Sequence, residues 1–339
     1  MPDYPGAQGE GSGSMRAIHS PLDKTTYYGH IKNEYFPSVY LPMNKEGLDQ
    51  SCEQQEPRKL AALNIEEGKN WNDYYSYYSN LVSDSNNNKQ YRYKTLYLIR
   101  HGQGKHNLAE STYGSVKWEA ELAQLDDYLD AQLTDLGNKQ AEILLNYVQD
   151  GVENDGLKID YVVVSPLSRA IQTALDGVYP ALINNNKIKS IDSASKNQSV
   201  PIVAFEYARE TIGRHTCDKR NSKTILQQRF SSVNFDYLLD EEDALWTQMR
   251  ETYAQEILRA GKLLKILFEL PYKNIAVVAH SGILRCITKQ LGAVINEGMI
   301  GNVETGIGSG IGLQNCEFLP VLAVQIRNSQ QQQEFFINK

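Results

Sequence analysis

The sequence predicts an α/β fold, with a mostly parallel central sheet flanked by helices on both faces. Three observations carry this expectation. Four short apolar runs, KTLYLI, DYVVVS, PIVAF and NIAVVAH, have the length and composition of buried strands. Between them lie stretches whose apolar residues recur at helical spacing, so strand and helix alternate. Hydrophobic residues make up 41% and charged residues 22% of the 339 residues, which supports a sizeable core and excludes wholesale disorder.

Taken in order, residues 1–90 read as an N-terminal extension, partly flexible and packing on or near the functional cleft. They are rich in Tyr, Asn, Ser and Gln, with an aromatic cluster in NWNDYYSYYSN (Trp71, Tyr74, Tyr75, Tyr77, Tyr78). A short helix would place Trp71, Tyr74, Tyr75 and Tyr78 on one side, either as a wall of the cleft or as a clamp on the core. SDSNNNKQ marks the boundary, and a second unit spans 91–327. KTLYLI is its first strand. LTDLGNKQAEILLNYVQD follows as a helix capped by Thr134, with Leu136, Gln140, Ile143, Leu144 and Tyr147 at helical spacing. After the DYVVVS strand, Ser165 before Pro166 reads as the cap of a helix through SPLSRAIQTALDGVY. PIVAF is the third strand. Trp246, Met249, Tyr253, Ile257, Ala260, Leu264 and Leu267 step along one long amphipathic helix. NIAVVAH is the fourth strand, with a helix from Ser281 to about Leu291. GLQNCEF and PVLAVQI read as a closing hairpin or edge pair, and 328–339 as a flexible polar tail.

The net charge of -7 makes a nucleic-acid partner unlike this chain, whereas a small anion can still be held by a local cluster of arginines. Cys52, Cys217, Cys286 and Cys316 form no CxxC pair, so neither a zinc site nor a disulfide framework is expected. Reduced thiols point to the cytoplasm, with the nucleus left open. No apolar run is long enough to span a membrane, and no membrane partner is expected. The start, MPDYPGAQGEGSGSMRA, shows no secretory pattern; Met15 after its Gly/Ser run is an alternative beginning. Asn197-Gln198-Ser199 matches a glycosylation triplet of the kind that occurs by chance.

The chemistry sits at strand ends. Two strands run straight into histidine, at Arg100-His101-Gly102 and at Ala279-His280-Ser281-Gly282. In a parallel sheet, ligands bind beyond the carboxyl ends of strands. Gly102 would let the backbone turn close to a ligand. Ser281 and Gly282 open a helix whose N–H groups favour an anion. Arg169 lies in the first turn of its helix, a poor place for a cation unless an anion shares the pocket; the alternative is a surface salt bridge. Two histidines and two arginines converging on one small site describe a phosphoryl pocket.

RHGQGKHN, SPLSRAIQTA, RETIGRHTCDKR and VVAHSG, in this order from Lys94 to Leu291, resemble the histidine phosphatase superfamily, which has the phosphoglycerate-mutase-like fold. DAQLTDLG, HTCDKR and the following EDALW are similar to its fungal and plant branch, the yeast phosphomutase homologue group. The resemblance implies that 91–327 is the catalytic domain. It implies that His101 is a nucleophile forming phosphohistidine and that Arg100, Arg169 and His280 hold the phosphoryl oxygens. Asn107 and Ser281 would add contacts to the phosphate, and Glu210 would be the general acid. Glu206 is the rival for that role. His106 and His215 would line the leaving-group side or be loop histidines. Arg214, Lys219, Arg220 and Lys105 would recruit a second anionic group or remain solvated. Cys217 and Cys286 are expected as buried packing residues.

A neutral imidazole is nucleophilic near pH 7 and leaves again, and two arginines stabilise the equatorial oxygens. The reading is therefore a metal-independent phosphomonoester hydrolase without a cofactor, acting on a small phosphorylated metabolite. Two alternatives accompany it. A cofactor-dependent phosphoglycerate-type mutase would be expected to carry the YGxLxGLNK segment typical of such enzymes, where this chain has RETIGRHTCDKR. A non-catalytic phospho-ligand-binding module would be expected to lack the nucleophile, an arginine or the acid.

Overall fold

The computed structural model describes residues 26–30, 70–76, 91–183, 200–291 and 312–326. Cys52, Tyr77, Tyr78, the Asn197 triplet, the Met15 region, the SDSNNNKQ boundary and the polar tail lie outside these residues. Six strands form one sheet: β1 (Thr26–His30), β2 (Tyr91–Arg100), β3 (Tyr161–Val164), β4 (Ile202–Ala204), β5 (Asn274–Ala279) and β6 (Phe318–Ile326), in the order β1-β6-β2-β5-β3-β4. β2, β5, β3 and β4 are parallel neighbours, and β6 and β1 add antiparallel strands beyond β2.

Side chains alternate across a strand, so each strand feeds both layers. Tyr97, Ile99, Val162, Val164, Ala276 and Val278 face one core, which is closed by α2 (Asp135–Asp150) and α3 (Ser168–Gly177). Leu96, Leu98, Val163, Ile275 and Val277 face the other, closed by α5 (Tyr253–Glu269) and α6 (Ser281–Gln290). Burial on both faces explains why the strands read as continuous apolar runs. α1 (Lys105–Tyr113) and α4 (Lys223–Arg229) lie in the connections.

Several elements differ from the sequence expectation. PVLAVQI is not half of a hairpin or edge pair: β6 lies between β1 and β2, and GLQNCEF is a loop up to Glu317 whose Phe318 opens β6. The long helix does not begin at Trp246. It begins after Thr252, whose side chain forms a reciprocal cap with Gln255, while the Trp246 indole donates to the His215 carbonyl at 2.8 Å. In α2, Leu136 and Ile143 are exposed, and Gln140, Ala141, Leu144, Tyr147 and Val148 form the buried face. α3 starts at Ser168 rather than at Pro166, because the Ser168 N–H and hydroxyl both bond to Asp130 (2.7 and 2.6 Å).

Helical residues 71–76 clamp the core. Trp71 is fully buried against Tyr74, Tyr75 and Tyr97, and the Tyr75 hydroxyl accepts from the Lys158 N–H at 2.8 Å. Lys158 precedes β3, so this cluster lies toward the start of that strand, opposite the edge where the histidines emerge.

Candidate active site

Strand register brings the site together. Arg100 of β2 pairs with Ala279 of β5, and Val164 of β3 pairs with Val278. His101, His280 and Ser165 are therefore the first residues beyond the ends of three adjacent parallel strands. The ladder continues one step into the turns: His101 N–H donates to Ala279 and Ser165 N–H to Val278, both at 3.0 Å. The centroids of the His101 and His280 rings are 4.9 Å apart.

His101 Nδ1 lies 2.6 Å from the Gly102 carbonyl. A carbonyl only accepts, so the proton sits on Nδ1 and Nε2 keeps its lone pair. Arg169 Nε–H points at that Nε2 from 3.4 Å. Burial, then Arg169 and Arg100, hold the His101 pKa well below the usual histidine value. His280 Nε2 is 2.7 Å from Ser165 Oγ, and its buried Nδ1 has no partner among the described residues. Burial and Arg169 keep His280 neutral as well. His106 folds back beside Gly104 and Arg169, 5.7 Å from the His101 ring, and is likewise depressed by burial and Arg169.

Arg169 is not a surface charge. It is wholly buried, with Nη2 at 2.8 Å from Asp218 Oδ1 and Nη1 at 2.5 Å from the Cys217 carbonyl. Arg250 Nη1 reaches the other Asp218 oxygen at 3.3 Å. Arg100 is anchored by Nη1 to the Leu313 carbonyl at 2.9 Å, and its buried Nε has no partner among the described residues. The loop before β6 holds the same turn: Asn315 Nδ2 donates to the His101 carbonyl at 2.8 Å and Cys316 N–H to that of Arg100 at 2.9 Å.

Two backbone expectations change. The close approach at Gly102 is to the protein itself, since a Cβ there would lie 2.7 Å from the Gly137 carbonyl at the start of α2. The Gly282 N–H at the start of α6 is occupied by the Glu210 carboxylate, at 3.1 Å from Oε1. Ser281 remains at the first position of α6, beside His280. Asn107 caps α1, its Oδ1 accepting from the Gly104 N–H at 3.0 Å.

The carboxylate rivals separate clearly. Glu206 is tied to Arg220 Nε (2.8 Å) and Arg209 Nη1 (3.1 Å). Among the described residues the Glu210 carboxylate bonds backbone N–H groups, those of Gly282 and Thr211, and its field is felt at Arg100. Arg220 is buried and bonded to Glu206 and to four carbonyls, so it cannot reach a substrate. Lys219 sits over Trp246, Arg214 pairs with Glu119 at 3.7 Å, and Lys105 is exposed. His215 Nε2 is 3.1 Å from Glu119 Oε2, and its ring packs edge-on to Trp118. Cys217, Cys286 and Cys316 are buried, and burial pushes all three thiols up, Cys286 and Cys316 to about 12.

Sequence reasoning missed the supports. Asp130, Asp218 and Asp243 each hold a buried partner, Asp243 gripping fully buried Arg209 at 2.6 Å. The segments DAQLTDLG, HTCDKR and EDALW contain them, but their roles depend on contacts distant in sequence. Ser165, expected as the helix cap, accepts only a long bond of 3.4 Å from the Leu167 N–H, and its hydroxyl lies 2.7 Å from His280 Nε2. His215, Cys217 and Asp218 are close enough to hold a metal among the described residues, with donor atoms within 4.8 Å of one another. Their carboxylate already serves two arginines, and the thiol is strongly disfavoured as thiolate, so this set fits a cation poorly.

The family described as Histidine phosphatase superfamily (branch 1) matches over residues 96–176. A phosphoglycerate mutase-like protein 1 of Arabidopsis thaliana is 36% identical over 208 residues, covering 57% of this chain and 70% of the relative. A second phosphoglycerate mutase-like protein of Arabidopsis thaliana is 31% identical, covering 70% and 87%. A probable phosphoglycerate mutase of Saccharomyces cerevisiae is 31% identical over 295 residues, covering 80% of this chain and 91% of the relative. With this similarity spanning nearly the whole of the yeast relative, and with paired histidines at the ends of adjacent parallel strands, the chain belongs to the histidine phosphatase superfamily, in company with its fungal and plant members.

Proposed function

We propose that this protein hydrolyses a small phosphomonoester through a phosphohistidine on His101, without a metal ion. The observation that carries the reading is the His101 ring, with Nδ1 committed to the Gly102 carbonyl and Nε2 facing Arg169. In the first step Nε2 attacks phosphorus as the bond to the leaving oxygen breaks. Arg100, Arg169 and the free Nδ1 of His280 contact the phosphoryl oxygens, with Ser281 and Asn107 at the rim. Arg169 has five N–H donors and makes three bonds among the described residues, which leaves donors for a phosphoryl group. Glu210 gives a proton to the leaving oxygen, then takes one from the water that cleaves the N–P bond. The arginines supply the positive charge that a divalent ion would bring.

Phosphoenzyme trapping tests this reading. Wild type should yield an acid-labile, base-stable phosphoenzyme, and His101→Ala should yield none and turn over no substrate. Release of phosphate from an aryl phosphate should persist in EDTA. Equal trapping on the variant would remove the nucleophile assignment, and loss of activity in EDTA restored by one metal would remove metal independence. The names of the plant and yeast relatives favour a second reading, a phosphoglycerate-type mutase. That reading predicts transfer of the trapped phosphoryl group to a phosphoglycerate acceptor faster than to water.

A further inference from the structure

Glu210 has a buried carboxyl neighbour. Glu256, in the first turn of α5, faces the first turn of α6, and a Cβ built on Gly282 would collide with Oε1 of both Glu210 and Glu256. Thr211 joins the two: its N–H donates to Glu210 Oε1 at 3.1 Å and its hydroxyl to Glu256 Oε2 at 3.3 Å. Glu256 is 4% exposed, and its Oε1 is buried with no hydrogen-bond partner among the described residues. Arg259 Nη2 is 3.8 Å from that oxygen, but the same guanidinium donates to Glu251 Oε2 at 2.6 Å and to backbone carbonyls, including that of Glu210.

We propose that Glu256 is a positioning residue for the general acid: its carboxyl and that of Glu210 share one proton beside Gly282, so that Glu210 meets the leaving oxygen protonated. The proposal rests on the reading of Glu210 as the acid. Two carboxylates in one partly desolvated site cannot both ionise near neutrality without strong repulsion. The charged and titratable groups facing the pair are Arg259 and Glu251 from α5 and its lead-in, Cys286 from α6, and Arg100 from β2. Burial, followed by Glu210, pushes the Glu256 pKa up to about 7.

The proton balance closes over one turnover. As the N–P bond forms at His101 and the bond to the leaving oxygen breaks, the pair's proton moves to that oxygen. The pair is then doubly anionic and a stronger base. It takes a proton from the attacking water as the new P–O bond forms and the N–P bond breaks.

The test is the pH dependence of single-turnover phosphoryl transfer at saturation, using an alkyl phosphomonoester that needs leaving-group protonation and an aryl phosphate that does not. For wild type the alkyl substrate should show an alkaline limb near pH 7, and the aryl substrate should be flat there. In Glu256→Gln the limb should move at least one unit lower, because the second carboxyl no longer holds the shared proton, so that the alkyl rate at pH 8 falls about tenfold or more. The aryl rate should stay within threefold. A limb unmoved in Glu256→Gln overturns the proposal even if all rates fall, because that is what a packing role would give. A wild-type alkyl limb below pH 6, or an equal limb on the aryl substrate, overturns it with no variant needed. Glu210→Gln separates the two claims. If it is slow on the alkyl substrate while Glu256→Gln leaves the limb in place, Glu256 alone is discarded. If Glu210→Gln is as fast as wild type, the acid assignment fails and the pair with it.

Discussion

Arg169→Ala tests the site where fold and chemistry meet. The guanidinium is wholly buried, and its removal leaves Asp218, itself 3% exposed, without its closest partner. Breaking a buried pair by deleting one member costs about 3–5 kcal/mol. Asp218 keeps Arg250 at 3.3 Å, so the low end applies, and stability should fall by about 3 kcal/mol. Separately, loss of a desolvated charged contact to the phosphoryl group costs about 2–5 kcal/mol, or roughly thirtyfold to a few thousandfold in phosphoryl transfer. Arg169 also depresses His101, second only to burial, so the variant's histidine should titrate higher and its activity should fail at a higher pH on the acid side. Denaturant melts give the first quantity and the burst phase with an aryl phosphate the second. Asp218→Asn is the control, because it removes the charge pair and leaves the guanidinium in place. It should lose stability while phosphoryl transfer stays closer to wild type. If Arg169→Ala loses stability but its burst rate stays within threefold of wild type, Arg169 only supports the fold and the gripping role is wrong.

Three further outcomes are expected. Glu210→Gln should slow the burst strongly for a sugar-like alkyl phosphate and weakly for an aryl phosphate; equal slowing would exclude Glu210 as the acid and redirect the test to Glu206→Gln. Stability should fall as pH drops from 6.5 to 5, because His101, His106 and His280 are held neutral in the fold and bind protons only when unfolded, the group with depressed folded pKa losing stability below its unfolded value. Glu256 and Glu317, each raised to about 7, act in the opposite sense between pH 4.5 and 7. Melts showing no loss as pH falls toward 5 would contradict the neutral histidines. Trp71→Ala should cost about 3–5 kcal/mol of stability and leave kcat unchanged, since the indole lies toward the opposite end of the sheet; a selective loss of kcat would place that cluster in the cleft.

The elements that were legible from sequence are those set by local chemistry. A strand buried on both faces must be apolar throughout, so β2, β3, β4 and β5 are visible as short apolar runs. Thr134 as the cap of α2 is read from its side chain and the helical period behind it, and its hydroxyl does accept from the Gly137 N–H. The histidines could be placed at a ligand edge because parallel strands end on the same side. Periodicity misled where polar capping outcompeted it: Thr252 and Asp130 set the starts of α5 and α3, and neither effect shows in a count of apolar spacings.

The sequence by itself determined the strand ends, the arginines and histidines upon them, and the family to which their order points. Only the tertiary structure decided which carboxylate is held by guanidinium groups and which is not. Glu206 and Glu210 are four residues apart and chemically identical, yet one meets Arg209 and Arg220 while the other reaches the start of α6. It also decided that Arg169 is buried on Asp218, that Ser165 orients His280, and that Glu256 lies beside Glu210. The physical reason is the range of the interactions. Strand and helix preferences are settled within a few residues, whereas the partners of a buried charge come from wherever the chain returns, and no local pattern records that return.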